Sequence, residues 1–504
     1  MILIDGSSLT LPQLLAVVDA REPVGLTPAA IARVRASRAV VDRRAAGDVP
    51  VYGINTGFGS FSEVRIPAAS LAQLQVNLVR SHAAGVGEPL SVREVRALML
   101  LRANVLAKGF SGIRLDTLER LLALINAGVH PRIPSRGSVG ASGDLAPLAH
   151  LALVLIGEGD ASDGERTQPG AEALEQAGLA PVTLAPKEGL ALINGTQAST
   201  GVLALALAGA ERLARAADIV AALSIDALKG SVTPFDERIH AARPFAGQLT
   251  AAANLRALMA GSAINASHEG CGRVQDAYSL RCTAQVHGAA RDALAFIHRT
   301  VAVEANAATD NPMIFADEDE SLSGGNFHGA PIAIAADLLA IAVTQFATIS
   351  ERRTERLVNP ALSGLPAFLT AEGGLQSGYM LAQVTAAALT SELKVIAHPS
   401  SVDTIPTSAN KEDHVSMSMA AALKAARAVE FARQVLAVEL LCAATAIDLL
   451  APLTTSAPLA RAHAALRAVV PPRVADRPPS PEIARAAALI AEGALIDAAR
   501  VDVK

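Results

Sequence analysis

The sequence predicts a mainly α-helical protein, a bundle of long antiparallel helices with a smaller, mixed N-terminal domain. Three observations carry that expectation. Apolar residues make up 51% of the 504 positions, yet aromatics supply only 3% and tryptophan none. The apolar content is therefore mostly alanine, leucine and valine, which favours close-packed helices over sandwiches or barrels. Long apolar-periodic runs recur at 197–228, 283–308, 330–358, 376–396 and 415–450, and helices of that length pack naturally side by side. The first 150 or so residues instead alternate short apolar helices with glycine-bearing loops, notably VYGINTGFGSF and KGFSGIR.

Taken in order, residues 1–190 form the N-terminal domain, within which the polar stretch from GEGDASDGERTQPG to LAPKEGL reads as a surface hairpin or loop. Residues 191–470 form the central bundle. VVPPRVADRPPSPEI then interrupts the chain before a last helix at 481–495, within a C-terminal segment of 471–504. No repeat of fixed period is present. Charged residues are only 18%, so much helix surface is expected to be covered by other subunits. A net charge of −5 without a Lys/Arg block argues against nucleic acid or an anionic membrane as partner. The N-terminus lacks the basic start and small-residue cleavage site of a signal peptide. Residues 330–349 have the length of a membrane span, but Asp337, Gln345 and an alanine-rich composition favour a buried helix. Cys271, Cys282 and Cys442 are an odd number in a long chain, which fits a reducing cytoplasm.

Groups able to bind or transfer protons gather in a few glycine-containing islands. The three tyrosines are Tyr52 in YGINTGFG, Tyr278 in QDAYSLRC and Tyr379 in GGLQSGYM. Others are RSHAAGVG with His82, LINGTQ with Asn194, GGNFHGAP with Phe327 and His328, and SANKEDHVSMS with Glu412 and His414. The stretch GSVGASGDLAPLAH, residues 137–150, admits a capping reading, with Asp144 as N-cap and Pro147 in the first turn. A phosphate loop is disfavoured, since no GK[ST] follows and no strand precedes. Ala141-Ser142-Gly143 suggests a third reading. A glycine amide nitrogen is unhindered and can be pressed onto the alanine carbonyl, while the serine loses water to an exocyclic methylene. That makes an electrophile from backbone at a helix N-terminus.

GSVGASGDLAPLAH resembles the segment that forms the 4-methylidene-imidazol-5-one (MIO) group of the aromatic amino acid ammonia-lyases and aminomutases. YGINTGFG, INGTQ, QDAYSLRC, TDNPMIF, GGNFHG, SGLPAFL and EDHVSM resemble that family's motifs in the same order, over nearly the whole chain. The resemblance implies an ammonia-lyase/fumarase-like fold and an MIO built from Ala141, Ser142 and Gly143, with no dissociable cofactor and no metal. It implies a small amino acid substrate and a homotetramer whose sites draw on three subunits. It makes Tyr52 the base for the β-proton; a phenolate near pH 8 then needs the ordinary pKa of about 10 brought down by roughly two, about 3 kcal/mol of environment. It makes Arg281 the partner of the substrate carboxylate, a task suited to a planar guanidinium. Asn194 and Gln275 are the supporting amides, and Phe327 packs beside the prosthetic group. Tyr278 lies three residues from both Gln275 and Arg281, so a helix or turn puts the three on one face. His268, Cys271, Cys282 and His287 have a zinc-like spacing, but QDAYSLR has the better account just given and Cys282 opens an apolar helix.

Two positions bear on the substrate. His82 matches a histidine found in histidine- and tyrosine-specific members, where an imidazole meets a polar ring. Glu412 stands where tyrosine and phenylalanine enzymes usually carry Gln. A carboxylate suits an imidazole N–H, whereas a phenyl ring leaves it buried and unpaired at a cost of at least ~1–3 kcal/mol. The resemblance thus implies ammonia elimination from L-histidine to trans-urocanate, in histidine degradation. A tyrosine or other arylalanine ammonia-lyase, or a 2,3-aminomutase, is the alternative. Three positions depart from the histidine pattern: Ala330 replaces a usual Glu, Lys411 adjoins Glu412, and Ala277 replaces a common proline.

Overall fold

A computed structural model describes residues 1–164, 166–270, 272 and 274–504. Helix dominates as expected, with long runs at Gln197–Ala227, Thr283–Glu304, Ala330–Val358, Met380–Ile396 and Ser418–Leu449. The run expected to 308 stops at Glu304 and the one expected from 415 starts at Ser418; two further departures have local reasons. The run predicted from 376 begins at Met380, because the Asp476 carboxylate takes the Ser377 and Gly378 amides at 2.7 and 3.0 Å and so opposes an earlier helical turn. The last helix is two, Ser480–Ala491 and Ala494–Ala499, parted where Gly493 turns left-handed at φ +81°.

The chain forms two compact units. The first comprises Met1–Leu205, His298–Asp337 and Pro399–Leu423. Its sheets are small. Of the hairpin or loop expected there, the chain forms a hairpin, pairing Asp160–Ser162 with Thr167–Pro169 and adding His130–Pro131 as a third strand. Near its centre runs the helix Val92–Ala107, started by a Ser91–Glu94 capping box and buried at every residue from Val95 onward. Arg96, Arg102 and Asn104 are buried within this helix, so their polar groups need internal partners. A six-residue helix, Glu188–Ile193, delivers Asn194 straight after its last turn. The buried Glu188 carboxylate accepts the Arg114 amide at 3.0 Å, the Arg114 guanidinium and the Thr117 hydroxyl at 2.7 Å. The Gly189 amide donates to Gln75 Oε1 at 3.0 Å, which ties this short helix to Leu71–His82.

The second unit comprises Ala206–Ile297, Leu338–His398 and Lys424–Lys504. Buried alanines at 206, 208, 210, 214, 216, 217, 221 and 222 line one helix, and side chains this small let neighbouring helices come close. Two buried polar knots hold the helices together. Glu439 accepts Ser224 Oγ at 2.6 Å and Arg353 Nε and Nη2 at 2.5 and 3.0 Å. Asp218 accepts His287 Nδ1 at 2.7 Å, Arg291 Nη2 at 2.6 Å and Asn254 Nδ2 at 2.7 Å. Removing one partner of such a pair strands the other charge. Glu439→Ala is expected to destabilise the protein by about 3–5 kcal/mol, read as a drop in Tm, with Glu439→Gln milder; equal Tm values would contradict a paired buried charge.

Ala330–Val358 is the one helix among the described residues long and apolar enough to cross a membrane, and 72% of its most apolar stretch is buried inside the protein. The hydrophobicity expected of a core helix accounts for it.

Candidate active site

The loop 137–143 is gripped from several sides within the first unit. Gly143, at φ +74°, lies against Gly195 in a lone parallel bridge, and a Cβ added there would stand 2.2 Å from the Gly195 carbonyl oxygen. Only glycine allows both that conformation and that approach. The Asp144 amide donates to Gly195 O at 2.7 Å, and Asn194 Nδ2 donates to Ser142 O at 2.8 Å. From another segment, the Met417 amide donates to Val139 O at 2.8 Å and Ser416 Oγ to Gly140 O at 2.9 Å. The Gly329 amide adds a second hold on Gly140 O at 3.1 Å, two residues beyond the half-buried Phe327.

Asp144 occupies the cap position before Leu145–Leu155, but its side chain does not cap that helix. Its Oδ2 accepts the Ser199 amide and hydroxyl, both at 2.8 Å, and Oδ1 accepts Ser138 Oγ at 2.8 Å. The capping expectation is corrected accordingly. The carboxylate serves the first turn of Gln197–Ala227, whose amides face it and lack helical acceptors of their own. Burial pushes the Asp144 carboxyl up, against those donors.

Ser142 Oγ donates to Glu412 Oε1 at 2.5 Å, and Glu412 Oε2 accepts Thr407 Oγ1 at 2.6 Å and Ser408 Oγ at 2.9 Å. Burial alone would raise this carboxyl; the three hydroxyl donors outweigh it and hold the group below its ordinary range. The adjoining Lys411 is exposed, and the Glu412 carboxylate takes its hydrogen bonds from hydroxyls instead. His82 is half-buried, and its Nδ1 lies 2.8 Å from Leu78 O. A carbonyl only accepts, so Nδ1 carries the proton and Nε2 is the free lone pair of a neutral ring. Burial pushes this imidazole's pKa down, against the pull of the Leu78 carbonyl and Glu412.

Tyr52 is half-buried with its ring edge-on to Phe58 at 6.4 Å. Burial pushes its phenol above 10; a Gly59 backbone bond opposes this, and the Glu412 and Asp310 carboxylates add to the rise. That runs against the lowered phenol expected of a base near pH 8, because two negative charges and a low dielectric disfavour a third anion. Removing one of those charges lowers the phenol's pKa. Glu412→Gln is therefore expected to move the rising limb of the pH–rate profile, where the base loses its proton, to lower pH, whatever it does to the maximum. A limb that stays put would mean the phenol is not the titrating base.

The remaining site candidates belong to the second unit. Tyr278–Arg281 is a single helical turn, with the Arg281 guanidinium over the Tyr278 ring at 4.9 Å. Tyr278 is 70% exposed. Gln275 and Arg281 line a cavity of about 740 Å³ together with Lys229, Asn265, His268 and Cys282; Gln275 precedes the turn rather than sharing its face. In the zinc-like spacing, His287 is spent on Asp218 and on an edge contact with Phe346 at 5.0 Å. Cys271 lies outside the described residues.

The model for aromatic amino acid lyases matches residues 9–468. A histidine ammonia-lyase of Anaeromyxobacter dehalogenans (strain 2CP-C) is 59% identical over 504 residues, covering 98% of this chain and 99% of that protein. The chain belongs to the aromatic amino acid lyase family. The lyase also superposes on solved structures along its whole length. The crystal structure of histidine ammonia-lyase from Trypanosoma cruzi matches with a TM-score of 0.92 at 44% identity, covering 99% of this chain and 95% of that one. A tyrosine aminomutase from Streptomyces globisporus matches with a TM-score of 0.94 at 38% identity and 100% coverage of both. The fold expected from the motifs is thus the family's own. Sequence reasoning about the lyase missed the hydroxyls that anchor its carboxylates, Ser138, Ser199, Thr407 and Ser408, and the buried Arg102. A charged residue inside the apolar run ALMLLRANVLA was the available signal for Arg102.

Proposed function

We propose that the lyase eliminates ammonia from L-histidine to give trans-urocanate, using an MIO formed from Ala141, Ser142 and Gly143. The observation that carries the reading is the ionised Glu412 carboxylate on Ser142, in the electrostatic reach of a neutral His82. The residues fit the group. Gly143 is crowded so closely onto Gly195 that no side chain fits, and the Asn194 amide aims at the Ser142 carbonyl, where negative charge would gather. When formed, the group supplies an electrophile that turns the substrate amine into a leaving group.

The chain's own residues do the rest. Tyr52 takes the β-proton. Arg281, with Gln275, pairs the substrate carboxylate, and Tyr278 and Phe327 face the reacting carbon skeleton. Glu412 accepts the imidazole N–H and His82 lies beside it. A homotetramer in the cytoplasm, with sites completed by other subunits, is supported by the sparse charge. The match to a tyrosine aminomutase keeps one second reading in view, a tyrosine lyase or 2,3-aminomutase.

Near-UV absorbance of the purified protein, given L-histidine, L-tyrosine or L-phenylalanine with nothing else added, separates the two. Urocanate from histidine alone is the expected result. Coumarate, or β-tyrosine without a chromophore, would overturn the histidine assignment.

A further inference from the structure

We propose that Arg102 is a positioning residue for ring closure at Ala141-Ser142-Gly143, acting through the Asn194–Gly195 turn; the inference rests on the proposed MIO. Arg102 is fully buried, yet its hydrogen bonds go to no carboxylate. Nη1 donates to Asn194 O at 2.9 Å and to Gln197 Oε1 at 2.7 Å, and Nη2 donates to Ala191 O at 2.5 Å. Ala191 O is among the last carbonyls of the helix Glu188–Ile193 and Asn194 O follows its end, where carbonyls lack helical donors. Gln197 Nε2 passes the hold on to Thr309 Oγ1 at 2.8 Å. A Cβ at Gly195 would stand 2.4 Å from Gln197 Oε1 and 2.6 Å from Arg102 Nη1, so the guanidinium lies directly behind the turn.

The front of that turn is the reacting loop. Gly195 O accepts the Asp144 amide, Gly195 bridges Gly143, and Asn194 Nδ2 holds Ser142 O. One planar cation thus sets the distance between two carbonyls, and the peptide between them presses on the loop from behind. Burial brings the guanidinium down to about 10, so it stays charged at neutral pH; the nearby Asp310 is itself paired with the buried Lys187 at 3.2 Å.

In the closure, the Gly143 amide nitrogen bonds to the Ala141 carbonyl carbon and its proton passes to that oxygen. The resulting hydroxyl leaves as water with the Ser142 amide proton. A second water takes the Ser142 hydroxyl and its Cα hydrogen. The chain ends two waters lighter, with no oxidant or reductant needed. Approach of nitrogen to carbon is the demanding part, and small displacements of a reacting pair lower rates steeply.

The test is the intact mass of the soluble full-length chain, alongside kinetics. Arg102→Met is expected to leave most of the soluble protein at its full sequence mass, with kcat per chain falling in proportion and KM unchanged. Arg96→Met is the control for mere loss of a buried arginine. Arg96 sits in the same helix and donates to carbonyls too, Val17 O at 2.7 Å and Ile125 O at 3.0 Å, but does not touch the turn; it should remain two waters lighter. Where Arg102→Met does not fold, Arg102→Lys, which keeps the charge but loses the paired carbonyl contacts, carries the same comparison. A complete two-water loss in the Arg102 variants, or an equal defect in Arg96→Met, overturns the inference. A wild-type chain at full sequence mass overturns the proposed MIO and this inference together, and so is distinguishable from failure of Arg102 alone.

Discussion

Tyr52→Phe is expected to lower kcat by about 10²–10⁴-fold, the range of a well-placed general base, while the chain still loses two waters on maturation. The substitution keeps the ring and its edge contact with Phe58, and deletes only the oxygen proposed to take the proton. KM should change little, because that oxygen acts on a C–H bond rather than on a charged part of the substrate. Steady-state kinetics with intact mass as companion decides it. A loss below about tenfold would move the base elsewhere, with Glu412 as the next group to substitute.

Ser142→Ala is expected to leave the chain at its full sequence mass and to lower kcat by more than ~10³-fold, about 4 kcal/mol of barrier. The fold should survive. Asn194 grips the main-chain oxygen at 142, which remains, and Glu412 keeps Thr407 and Ser408 as donors. Circular dichroism and Tm near the wild-type values would therefore accompany the loss. Retained turnover in a chain of unaltered mass would show that elimination proceeds without a group made from this loop.

Much of this protein is legible from its residues, for identifiable reasons. The long helices announce themselves because alanine and leucine recur with helical period over many turns, and two of the departures fall where a capping carboxylate or a left-handed glycine intervenes, at Asp476 and Gly493. The loop at 137–143 is legible because only glycine tolerates its conformation. What stays hidden are groups whose partners lie far along the chain. Nothing local marks Asp144 as serving a helix that begins at 197, nor Arg102 as backing a turn 92 residues later. The direction of the Tyr52 shift was hidden for the same reason, since Asp310 and Glu412 are remote in sequence. Gln275, Tyr278 and Arg281 are adjacent in sequence and recognisable together, but their belonging to a separate compact unit is a property of the folded chain.

The Asp144–Ser199 contact has a consequence for the order of folding. A span of 55 residues closes when that carboxylate meets the first amides of Gln197–Ala227, and the entropy of closing it must be met before either side gains. A helix start without its cap frays, and a glycine loop without its anchor samples many shapes. The two therefore become ordered together, late enough that the sequence between them has already been built. Under the proposed MIO, ring closure then waits on native structure rather than preceding it, which protects nascent chains from carrying a reactive electrophile while they are still exposed. On that proposal a chain that misses this step has no external substitute to recruit, so the supply of active enzyme is set by how many chains fold, one ring to each.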